Sequence, residues 1–201
     1  VTVPVLLHVG CGAKRKAQTT PGFDTPAWTE VRLDIDPAVR PDVLASMTDM
    51  PQVASGSADA VFSSHNIEHL YAHEVPVALA EFRRVLKPDG FLVVTCPDVQ
   101  SVAALVAQDR LTEPAYESAA GPITPHDMLY GFGPAMARGN LHMAHRCGFT
   151  RRTLMQSLRD AGFPSFGAMQ RAARFDLWGL ASNRRLSDDE MLALVRAHLP
   201  S

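Results

Sequence analysis

The sequence predicts an α/β fold: a single domain over residues 1–201, built on a doubly wound, mainly parallel sheet, with an antiparallel hairpin late in the chain and a lid insertion at residues 110–149. Three observations predict it. Short apolar runs alternate with segments of helical period through the first half of the chain, the pattern of strands joined by crossovers. Two later runs, 163–172 and 175–183, read as strands that can pair as a hairpin through Arg174. Between these regions, residues 110–149 carry four prolines and five glycines with little periodicity, too long a stretch for an ordinary connection.

Pro4-Val-Leu-Leu-His-Val9 reads as a buried strand entering a tight turn at Gly10-Cys-Gly12. Residues 13–30, broken by Pro21, Gly22 and Pro26, have room for one helical turn at most. Val31-Arg-Leu-Asp-Ile35 is a second strand, stopped by Asp36-Pro37, and Asp42-Val-Leu-Ala-Ser46 a weaker third. Ala58 to Ser64 is the clearest strand. Val75, Leu79, Phe82 and Leu86 then recur at helical spacing, with Pro76 tolerated in the first turn. Lys87-Pro-Asp-Gly90 is a stop and turn, and Phe91 to Cys96 a buried strand closed by Pro97-Asp98. Residues 99–108 and 150–161 read as helices. The second has Thr150 as N-cap, Phe149 placed to staple onto Leu154, and Gly162 at its stop. Ser187 with the acidic residues Asp188, Asp189 and Glu190 opens a last helix.

Apolar residues make up 46% of the chain and charged residues 20%, which excludes a disordered chain. No stretch offers the roughly 20 apolar residues of a membrane span. A formal charge of −2 gives no support to non-specific binding of nucleic acid or anionic membrane. Three scattered cysteines, Cys11, Cys96 and Cys147, form neither a disulfide framework nor a zinc spacing. With no signal-peptide layout at its start, the chain is expected to be cytoplasmic.

A parallel sheet binds ligands beyond the carboxyl ends of its strands. The first strand ends in Gly10-Cys11-Gly12, where glycine allows a sharp turn and close approach of a ligand. The second ends in Asp34, 22 residues after Gly12, an acid that can accept both hydroxyls of a ribose. The third leads to Asp49-Met50, an acceptor beside an apolar side chain, suited to an adenine. The fourth ends in Ser63-Ser-His-Asn66, and the fifth in Pro97-Asp98. Taken singly each feature has an ordinary structural reading. In this order they point to a bound nucleoside.

Leu7-His-Val-Gly-Cys-Gly12, Leu33-Asp-Ile-Asp-Pro37, Asp59 to Leu70 and Glu81 to Gly90 together resemble the ordered motifs of the class I, Rossmann-like S-adenosylmethionine-dependent methyltransferases. The resemblance implies a transferase of the EC 2.1.1 class with S-adenosylmethionine as cofactor. It implies that Gly10, Cys11 and Gly12 line the methionine moiety, Asp34 holds the ribose, Ile35, Asp49 and Met50 border the adenine, and His65 lies near the sulfonium. The chain departs from the family pattern at His8, where an acid is usual, and at Lys14, where a third glycine is usual. Lys14 or Arg15 is then a candidate for the methionyl carboxylate.

His65 is the expected catalytic base, joined by His142 or His145 if the lid folds over the site. His65-Asn-Ile-Glu-His69 is similar to a metal-ligand motif of certain methyltransferases, but the pair Glu68 and His69 also fits the structural start of a helix, and the expectation is no metal. The acceptor is expected to be a small molecule or of glycan type. A non-catalytic S-adenosylmethionine-binding partner protein is the second reading. A nicotinamide-dependent oxidoreductase is the third, disfavoured by the missing third glycine.

Overall fold

The computed structural model describes residues 3–200. Strands β1 (Val5–Val9), β2 (Thr29–Asp34), β3 (Val43–Leu44), β4 (Ala58–Ser64) and β5 (Leu86–Pro97) come first, with helix α1 (Val75–Val85) between β4 and β5 and α2 (Val99–Val106) after β5. A short hairpin, β6 (Tyr116–Ser118) and β7 (Gly121–Ile123), and two short helices, α3 (Pro125–Tyr130) and α4 (Gly133–Ala137), follow. The chain ends with α5 (Arg151–Asp160), β8 (Ser165–Arg171), β9 (Asp176–Ser182) and α6 (Asp188–His198).

Seven strands make one sheet in the order β3-β2-β1-β4-β5-β9-β8. The first five pair in parallel, and β9 runs antiparallel to both β5 and β8. This is the doubly wound sheet with a late hairpin expected from the sequence. The order reverses at β1, which lies between β2 and β4, so the crevice beyond the ends of β1 and β4 is the place where such a sheet takes ligands.

Alternation along the strands divides the core in two. Leu7, Val9, Val61, Leu92 and Val94 face α1 and α5, whose buried residues include Leu79, Phe82, Leu154 and Leu158. Leu6, Ala60, Phe62 and Val93 face the other way. That second face has no helix after β1. The segment between β1 and β2 holds one 3-10 turn, Lys16–Gln18, and covers the sheet with Phe23 and Trp28, while α6 closes over them with Leu194 and Val195, and Leu199 follows at its end.

Two local readings change. Lys87–Gly90 is not a separate turn between helix and strand: β5 already starts at Leu86, and pairing with β4 jumps from Ala58–Leu86 to Ala60–Phe91, so these residues form an irregularity within β5. Residues 110–149 are also more regular than expected. Thr124 caps α3 with Asp127 answering in a capping box, and Pro125 opens the helix.

The docking of α6 carries a pH dependence. His198 is buried against Phe23, with ring centroids 4.2 Å apart, and its Nδ1 lies 2.9 Å from Thr20 Oγ1. Burial pushes its imidazole down to about 4. The unfolded chain takes up this proton near about 6.5. Stability is therefore full above that pH and is lost as the pH falls toward 4, by about 3 kcal/mol for this group. In His198→Gln, proton uptake on unfolding in this window should fall by about one. Denaturation followed from pH 7 to 4 checks this, and an unchanged acid slope would rule it out.

Candidate active site

The turn after β1 is held from three sides. Gly10 and Gly12 sit at φ +64° and +53°, in the left-handed region that favours glycine. The N–H groups of Gly10 and Cys11 donate to Leu33 O at 2.8 and 3.2 Å. Arg32, almost fully buried, donates its guanidinium to the carbonyls of Gly12, Lys14, Val39 and Arg40 and so clamps the turn to the end of β2. On the β4 side, Asn66 donates to the carbonyls of Val9, Gly10 and Ser64. Arg32 is missed in the sequence because its role depends on which carbonyls the loops bring beneath it.

Asp34 stands at the end of β2. Its Oδ2 accepts from Gly12 N at 2.7 Å and its Oδ1 from Asp36 N at 2.9 Å, which holds the carboxylate in place at the wall of a cavity. The cavity is about 510 Å³, lined by Gly10, Cys11, Gly12, Asp34, Ile35 and His65 from the expected set. Asp49 and Met50 do not line it. β3 ends at Leu44 and the chain turns back at once through the Ser46–Asp49 bridge. Asp49 is left in solvent and Met50 is driven into the core, its N–H bonded to Glu81 Oε2 at 2.9 Å. Ser46 and Met47 take their place on the wall. Cys11 lines the cavity as an inert thiol, since burial pushes it up to about 11. His8 is buried with its Nδ1 2.8 Å from Glu30 Oε1, and burial holds its imidazole below the usual range. Of the two basic candidates for the methionyl carboxylate, Lys14 lines the cavity and Arg15 does not.

A second cavity of about 560 Å³ adjoins the first, and His65, His69 and Met143 line both. Its far walls come from the β6–β7 hairpin (Tyr116, Glu117, Ser118), from Met128 and Phe132, and from the β8–β9 turn (Arg171, Arg174, Phe175). His65 lies at the junction with φ +54°, an uncommon backbone for a residue other than glycine. The segment 110–149 reaches this junction because Arg146 N and Cys147 N donate to Glu68 O at 2.8 and 3.2 Å. The two lid histidines then part. His142 is exposed and faces the first cavity, whereas His145 turns into the second, 4.9 Å ring to ring from His69.

Glu68 is buried beside His69 and His145, and neither of its carboxylate oxygens has a hydrogen-bond donor. His65 Nδ1 lies 3.4 Å away, an electrostatic contact rather than a well-formed charge-assisted bond. Burial pushes this carboxyl up, and the imidazoles of His65, His69 and His145 more than offset it, leaving it below the ordinary range. Burial likewise holds His145 below the usual imidazole value.

Residues 7–94 match the family model described as a methyltransferase domain, and this span contains the glycine turn, Asp34 and His65. Over that span the chain is similar to a methyltransferase domain. Solved methyltransferases share the fold. One is the 1,6-didemethyltoxoflavin-N1-methyltransferase of Burkholderia thailandensis with bound 1,6-didemethyltoxoflavin and S-adenosylhomocysteine, which is 15% identical with a TM-score of 0.54 over 89% of this chain and 71% of that one. Methyltransferases of Methanosarcina mazei (15% identity, TM-score 0.56, 90% and 93% covered) and Aquifex aeolicus (14%, 0.53, 90% and 82%) are similar in the same way. Comparison with curated proteins gave no match. Among the described residues, no helix is long and apolar enough to cross a membrane.

Proposed function

We propose that this methyltransferase transfers the methyl group of S-adenosylmethionine, bound in the first cavity, to a small-molecule or glycan-type acceptor bound in the second. The observation that carries the reading is the shared wall. His65, His69 and Met143 border both cavities, so a methyl group presented at the junction faces whatever fills the second. The cofactor supplies an electrophilic sulfonium methyl, and the chain's residues have to align the acceptor with it and exclude water. Gly10, Cys11 and Gly12 would lie along the methionine moiety, Lys14 near its carboxylate, Asp34 on the ribose, and Ile35 with Met47 beside the adenine. His65 would take the acceptor proton, with His145 on the acceptor side and His142 at the cofactor mouth.

Residues 1–201 would act as one methyltransferase domain with 110–149 as its lid, working in the cytoplasm. Tyr116 and Phe175 stack at an interplanar angle of 14° and offer flat apolar surface, and Arg174 and Glu117 add charge at the rim. A small acceptor with a planar part suits such walls. The Burkholderia structure, which holds 1,6-didemethyltoxoflavin, supports a small-molecule acceptor.

Calorimetric titration with S-adenosylhomocysteine and with NAD, followed by turnover on a panel of hydroxyl, amine and sugar acceptors, tests the proposal. The expected result is saturable binding of the nucleoside product, none of NAD, and methylation of a small acceptor. In His65→Ala, turnover should fall by roughly 10²–10⁴-fold while S-adenosylhomocysteine affinity changes little. Turnover equal to wild type would remove His65 from the base role.

A further inference from the structure

We propose that Glu68, His69 and His145 form a divalent transition-metal site that clasps segment 126–147 onto the connection between β4 and α1. The three residues each bring one ligand atom within 4.8 Å of the other two. Their residue types, two imidazoles and a carboxylate, suit zinc and its first-row neighbours.

Two further observations point to a ligand at this place. The first is Glu68 itself: a buried carboxylate with no hydrogen-bond donor on either oxygen, beside two imidazoles, is a polar group that calls for a ligand. The second is the anchoring of the rings. His69 Nδ1 lies 3.2 Å from Ala144 O and His145 Nδ1 lies 2.9 Å from Met128 O. A carbonyl can only accept, so each Nδ1 carries the proton and each Nε2 keeps its lone pair. An imidazole fixed through one nitrogen to a backbone carbonyl, with the other free, is the arrangement that metal-binding histidines adopt. In a tetrahedron with bonds of about 2.0–2.1 Å, ligand atoms stand about 3.3 Å apart, which modest side-chain rotation reaches from here.

The site joins parts of the chain far apart in sequence. Glu68 and His69 follow β4, while His145 and both anchoring carbonyls, Met128 and Ala144, belong to the inserted segment. Bound metal therefore fixes one wall of the second cavity to the rest of the fold. Three protein ligands also leave a coordination position open toward that cavity, which Glu68, His69 and His145 all line. His65 stands outside the cluster, although its Nδ1 is 3.4 Å from Glu68. The proposal departs from the expectation of no metal drawn from the His65-Asn-Ile-Glu-His69 stretch of the sequence.

The test uses the full chain after dialysis against a chelator. Zn²⁺ is added in a calorimeter, and Co²⁺ is added while its visible absorption is followed. One equivalent of each should bind, with the intense visible bands of low-coordinate Co²⁺. Affinity should fall by about 100-fold or more in His145→Ala and in Glu68→Gln, and not in His126→Ala, an exposed lid histidine outside the cluster. Hydrogen exchange in residues 126–147 should slow when metal is added. S-adenosylhomocysteine binding, retained in His145→Ala, reports folding and the cofactor site independently, so failure of the metal proposal is distinct from failure of the methyltransferase reading. Weak, non-stoichiometric binding, or equal affinity in wild type and His145→Ala, would overturn the site.

Discussion

Asp34→Ala is expected to weaken S-adenosylhomocysteine binding by tenfold or more. Hydrogen bonds to a charged acceptor contribute roughly 1.5–3 kcal/mol each, and the ribose can make two with this carboxylate. The structure adds a second cost. Asp34 also accepts from Gly12 N and Asp36 N, so its removal frees the glycine turn and the start of the next loop at the same time. Asp34→Asn separates the two effects: its amide oxygen can still accept one of those N–H bonds, but the charge is gone. Calorimetry on both variants should rank wild type above Asn and Asn above Ala. Wild-type affinity in a folded Asp34→Ala protein would remove the ribose assignment.

Gly10→Ala is the second large effect. A Cβ at this position would lie 2.2 Å from Asn66 Oδ1 and 2.5 Å from Asn66 Nδ2, far inside contact distance. Asn66 would have to leave, giving up its bonds to the carbonyls of Val9 and Ser64. The left-handed backbone at φ +64° adds about 1–2 kcal/mol for a residue with a Cβ. Strain and lost hydrogen bonds together amount to about 3 kcal/mol, or roughly a 10 °C fall in melting temperature for a chain of this size. Cofactor binding should fall with it, because the displaced Asn66 ties β1 to β4 beside the cavity. Gly12→Ala is the control. Its φ is +53°, but a Cβ there meets nothing within 4 Å, so only the backbone strain remains. Equal losses in the two variants would show that backbone strain, not the Asn66 contact, decides the first.

The features readable from residues alone share a short range. Strand and helix periodicity gave β1, β4, α1 and the late hairpin. Thr150 and Ser187 are seen as N-caps, each with its box partner, because a cap is completed within four residues. The missed cap at Thr124 had the same signature, but three prolines within a dozen residues obscured it. Asp49 and Met50 went astray for a different reason. A weak edge strand has no periodicity long enough to fix its end, and an end two residues early turns every following side chain elsewhere.

By itself, then, the sequence determined the doubly wound sheet, the glycine turn after β1, Asp34 at the end of β2 and His65 just after β4, since strand order and strand ends follow from local pattern and the rules of parallel sheets. Tertiary structure alone decided three things: that Met47 and not Met50 borders the cavity, that Arg32 clamps the turn through backbone carbonyls, and that His145 and not His142 joins Glu68 and His69. The physical reason is the same for each. These outcomes depend on where loops of irregular backbone come to rest, and that is set by bonds such as Arg146 N to Glu68 O, whose partners lie 78 residues apart and carry no local signature.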